Sequence, residues 1–143
     1  MSTTIARISL VLRLLIAGLF IWSLFYKFTG AASAVYIFTT LGVEPWGRIA
    51  TGVMELLASL LLLIPATLVY GARLSAGVLA GALASHLFLG LGVNVQFPYG
   101  ADHGALFTQA VLMFLMSLIV VWIHRKEMPL LALRRVSAAT PET

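Results

Sequence analysis

Residues 104–123 read GALFTQAVLMFLMSLIVVWI, twenty residues without one charged side chain. At 1.5 Å per residue such a helix is about 30 Å long, which matches the hydrocarbon core of a bilayer. Working outward, three further stretches have similar length and character: residues 8–27 (ISLVLRLLIAGLFIWSLFYK), 48–68 (RIATGVMELLASLLLLIPATL) and 74–93 (LSAGVLAGALASHLFLGLGV). The expected fold is all-α, a polytopic integral membrane four-helix bundle. Between the first two spans, Ala34, Val35, Phe38 and Leu41 recur at helical spacing before a turn marked by Gly42, Pro45 and Gly47, which predicts a short interfacial segment. Residues 1–129 form a single transmembrane domain in this reading, and residues 130–143 a cytoplasmic tail.

The whole composition agrees. The 143-residue chain is 61% hydrophobic and only 10% charged, against about 25% charged in an ordinary soluble domain. Its net charge of +4 sits mostly outside the apolar runs, as anchoring in a lipid bilayer requires, so no nucleic-acid partner is expected. With four spans, Arg7, Arg13, Arg73, Arg125, Lys126, Arg134 and Arg135 fall on one side and only Lys27 and Arg48 on the other. This asymmetry predicts cytoplasmic termini. Arg13 is expected to snorkel towards the cytoplasmic headgroups. An alternative for the N-terminus is a cleaved signal peptide, with Ala31, Ala32, Ser33 and Ala34 supplying the small residues; Lys27 directly after the apolar run suits an intact helix better. The absence of cysteine removes protein thiol chemistry and Cys-ligated clusters from consideration.

An ionisable group inside a span costs about 2.5 to 3.5 kcal/mol on insertion scales, so the polar residues within the spans are the informative ones. Lys27 ends the first span, Glu55 lies seven residues into the second, His86 seven residues before the end of the third, and Gln109 five residues into the fourth. Seven residues of helix are about 10 Å, so all four project to a similar depth near the outer face. They are the ligand-binding candidates, with Glu55 expected to orient or exchange a proton with His86. Lys27 and Glu55 are equally accounted for as a structural ion pair joining the first two spans. No catalytic residue is assignable. His86, His103, Glu55 and Asp102 stand in no recognised metal-ligand spacing, so no metal site is expected. Gly77, Gly81 and Ser85 recur every four residues, the small-xxx-small pattern of close helix packing, with another helix of the chain or a second copy in a homo-oligomer as partner.

The run Phe25, Tyr26, Lys27, Phe28, Thr29, Gly30, then Leu41, Gly42, Val43, Glu44, Pro45, Trp46, Gly47, then Gly52, Met54, Glu55, Leu56, Leu57, resembles the DoxX family over residues 7–129, with a matching close at Ile123, His124, Arg125 and Lys126. The resemblance implies a protein of the bacterial or archaeal cytoplasmic (inner) membrane, similar to the membrane subunit of thiosulfate:quinone oxidoreductase. It further implies redox partner proteins, a quinone as cofactor, and importance for Lys27 and Glu55. A non-enzymatic scaffold, assembly factor or small-solute carrier is the competing reading.

Overall fold

The computed structural model describes residues 1–126. The tail expected over residues 130–143, with Arg134 and Arg135, lies outside them. Five helices follow one another: α1 (Thr3–Thr29), α2 (Ala32–Thr40), α3 (Trp46–Leu63), α4 (Leu68–Phe88) and α5 (Ala105–Ile123). All but α2 are long and apolar enough to cross a membrane. A two-stranded antiparallel hairpin, β1 (Gln96–Phe97) with β2 (Gly100–Ala101), lies between α4 and α5.

The boundaries have local causes. The Ser2 hydroxyl accepts from the Ile5 amide at the start of α1, and Gly30, at φ 67°, ends it in the left-handed conformation while the Ala31 amide bonds back to the Tyr26 carbonyl. Helix α3 stops at Leu63, short of the expected residue 68. Pro65 has no amide hydrogen and forces Ile64 to extended geometry (ψ 119°). The chain then restarts as α4 at Leu68, six residues before the expected Leu74, and α4 ends at Phe88, five before Val93. Arg73 therefore lies within α4, not in the preceding loop, and His86 occupies the last helical turn.

The four long helices close a ring in the order α1, α3, α4, α5 and back to α1, with α2 laid against α1 and α3. Ile16 and Phe20 of α1, Ala58 and Leu62 of α3, Leu79 of α4 and Met113 of α5 meet in the core. Ser59, Ser75 and Ser117 are fully buried, each returning its hydroxyl to the carbonyl four residues earlier, so they cost no unpaired polar group. A close helix approach occurs at Gly71, where a Cβ would come within 2.5 Å of the Leu62 amide nitrogen. The outward surface is apolar, with Ile8, Leu15, Trp22, Val53, Leu57, Leu112 and Trp122 all exposed.

Helices α1 and α3 run antiparallel, and each carries an arginine that serves the other's C-terminus. Arg13 donates from Nε to the Leu62 carbonyl at 2.7 Å, and Arg48 donates to the Lys27 carbonyl. The last carbonyls of a helix have no intrahelical donor, and a guanidinium supplies one together with a charge that suits the helix dipole. Arg13 is buried, not snorkelling as expected, because this carbonyl demand lies within its reach. At the same end, Ser9 of α1 hydrogen-bonds His124, just past α5, at 2.7 Å.

Candidate functional site

Lys27 reaches from the last turns of α1 to Glu55 of α3. Both side chains are largely covered, and Nζ lies 2.7 and 2.8 Å from the two carboxylate oxygens. Its third hydrogen goes to the Ser23 hydroxyl at 2.6 Å. The ammonium therefore spends all three donors within the protein. Arg48 is paired in the same way, holding Glu44 from Nε at 2.8 Å and from the guanidinium terminus at 2.8 Å. The charges of these two pairs cancel.

His86 is buried at the end of α4, and its Nδ1 lies 2.6 Å from the Gly92 carbonyl. A carbonyl only accepts, so Nδ1 carries the hydrogen, and in the neutral ring Nε2 keeps its lone pair. The Phe107 ring meets the imidazole edge-on at 5.6 Å. Gly90 and Gly92, both at positive φ, let residues 89–95 fold back over the helix end, which buries Leu91 and Val95. Asp102 fastens the far side of this segment: Oδ1 accepts the Val95 amide at 2.6 Å and the Gly104 amide at 3.1 Å, and Oδ2 the Leu106 amide at 3.0 Å. Burial opposes ionisation of Asp102, but these three amides outweigh it and hold its carboxyl below the ordinary carboxylate value.

Lys27, Glu55, His86 and Gln109 all line one cavity of about 690 Å³. Helix α2 contributes Ile37 and Phe38 to its wall, Leu41 follows, and the rest is mainly apolar. Gln109 is exposed and stands at the margin, shared with a smaller cleft of about 470 Å³ between α1 and α5; its amide nitrogen lies 3.8 Å from the Met113 sulfur. The expected Glu55–His86 contact is replaced by two others, Glu55 with Lys27 and His86 with Gly92. Gly77, Gly81 and Ser85 do not pack against a neighbouring helix of the chain as expected. A Cβ at Gly77 or Gly81 would meet no atom within 4 Å, the Ser85 hydroxyl bonds back to the Gly81 carbonyl, and all three residues border the cavity. Among the described residues, no three histidine or acidic side chains gather as a metal-binding group. No family model, curated protein or solved structure matches the chain.

Sequence reasoning misses the reciprocal arginine caps and the part played by Gly71. The four-residue spacing of Arg73, Gly77, Gly81 and Ser85 is a legible signal for one shared face, but not for what that face borders.

Proposed function

We propose that the chain is a multi-pass protein of the bacterial or archaeal inner membrane, with cytoplasmic termini, that binds the headgroup of a lipid-soluble quinone as the membrane subunit of a redox assembly. The observation that carries the reading is the convergence of Lys27, Glu55, His86 and Gln109, from four different helices, on one otherwise apolar cavity. Membrane insertion is supported by the apolar exterior and by the four helices of spanning length. Kinship with DoxX proteins, expected from the sequence and matched by no family model, is part of this proposal.

Charge balance favours a quinone over an oxyanion. Lys27 is neutralised by Glu55 and Arg48 by Glu44, so the polar end of the cavity offers hydrogen bonds without a surplus positive charge from these groups. The Gln109 amide supplies a donor for a quinone carbonyl. The His86 Nε2 lone pair supplies an acceptor for a quinol hydroxyl and a place for its proton. The electrons of a quinol would pass to a partner protein.

The test is purification in lipid-preserving detergent, native mass spectrometry and extraction of bound small molecules. A stoichiometric quinone that is lost from a folded His86→Ala protein is the expected result. The formed Lys27–Glu55 pair favours the second reading, a non-enzymatic scaffold or assembly factor in which the cluster is structural. A well-folded bundle empty of quinone, or a His86→Ala protein that binds quinone normally, would select it.

A further inference from the structure

Arg73, Gly77, Gly81 and Ser85 succeed one another at four-residue intervals along α4, and all four line the cavity. Such steps hold them to one helix face and spread them over about 18 Å. The cavity is therefore a trough running down α4, longer than a single ring system needs. Its lining changes along that length: Arg73 and Leu74 stand at one end, Gly77, Val78 and Gly81 between, and Ser85 with His86 at the other.

The two glycines expose helix backbone as the floor of the trough. Gly77 and Gly81 are solvent-accessible, a Cβ on either would meet no atom within 4 Å, and Met54 of α3 is also exposed on the lining. The open side thus lies between α3 and α4, on the apolar exterior of the bundle. A glycine floor lets a slender chain lie against the backbone, where Leu side chains would fill the same space. Apolar hollows stay dry, and an unfilled one is costly to a packed bundle, so a hydrocarbon occupant fits the trough better than water.

Resting on the quinone-head reading above, we infer that the trough holds the hydrocarbon tail of the ligand, admitted sideways from the bilayer between α3 and α4 across Gly77 and Gly81. The small-residue stripe of α4 is then a tail groove and not a helix-packing seam. Lipid solvates a tail as well as an apolar protein wall does, so the groove selects by shape and not by hydrophobic transfer.

The experiment uses the full chain in lipid nanodiscs with two probes, a benzoquinone bearing a long isoprenoid tail and the same ring without a tail. Each probe is compared between wild type and variant, so that its own partitioning into lipid cancels. Gly77→Leu combined with Gly81→Leu is expected to weaken the tailed probe by about tenfold or more while leaving the tail-less ring within about twofold. Gly18→Leu adds one such side chain at an exposed glycine of α1, away from the trough, and is expected to change neither probe. If the double variant does not fold, Gly81→Ala repeats the test in a smaller step, because its methyl meets no protein atom within 4 Å. Equal binding of the tailed probe by wild type and the groove variants overturns the tail assignment alone. A wild-type protein that binds neither probe overturns the quinone reading and this inference with it.

Discussion

Glu55→Gln tests the polar end of the cavity by removing one charge and little volume. In the native chain Lys27 has three acceptors, two of them the oxygens of Glu55 at 2.7 and 2.8 Å, and the carboxylate side chain is 8% accessible. The substitution leaves a largely covered ammonium with the Ser23 hydroxyl and one amide oxygen. Breaking a buried pair in this way costs about 3 to 5 kcal/mol; the 14% accessibility of Lys27 and the nearby carbonyl end of α1 place the expectation at the low end, about 3 kcal/mol. Lys27→Met together with Glu55→Gln removes both charges and is expected to lie within about 1.5 kcal/mol of wild type, well short of the sum of the two single variants. Reversible unfolding by SDS titration in mixed micelles measures all members of the cycle. A double variant as unstable as the sum of the two single variants would refute the reasoning, because the charges would then not be acting as a pair.

Three other outcomes follow from the packing. Gly71→Ala is expected to cost about 1 to 3 kcal/mol in the same titration, since its Cβ would press on the Leu61 and Leu62 backbone, whereas Gly81→Ala should be neutral or stabilising. Arg13→Met should cost about 1.5 to 3 kcal/mol through the orphaned Leu62 carbonyl; an unchanged unfolding midpoint would restore the snorkelling role. Asp102→Asn should loosen the segment before α5 by about 1 to 2 kcal/mol, because an amide nitrogen then faces a backbone amide, and limited proteolysis reads this directly. The folded carboxyl of Asp102 ionises below its ordinary value of 3.8, so its contribution is present above that pH and is lost as the pH falls through the folded value. Wild type should thus become more cleavable in that segment on acidification below about pH 4, and Asp102→Asn should lack that step.

The four long helices are legible in the sequence because runs of about twenty apolar residues leave a soluble fold no polar face to turn towards water. The polar residues Glu55, His86 and Gln109 stand out within apolar runs in the sequence, and the three border one cavity. Rotation about each helix axis is not legible there. Spacing places Glu55 near His86, yet Glu55 pairs with Lys27, a choice set by how two helices distant in sequence turn towards one another, and His86 bonds Gly92 in the turn that follows its own helix. The α3–α4 boundary differs from expectation because one proline outweighs the apolar residues on either side of it. Arg13 departs from its expected role for a related reason: the carbonyls it serves belong to residues 62 and 63, and nothing in its own neighbourhood announces their need. At Gly77 and Gly81 the periodicity is plain, but a row of small residues looks the same in sequence whether it borders another helix or a void.

The exchange of arginine caps between α1 and α3 bears on how the molecule can move. Arg13 grips one end of the pair and Arg48 the other, so sliding one helix along the other would break charged hydrogen bonds at both ends at once. These two helices form a fixed wall. Relative motion in the bundle is left to the other helices, as a sideways swing and not a piston stroke of α1 against α3.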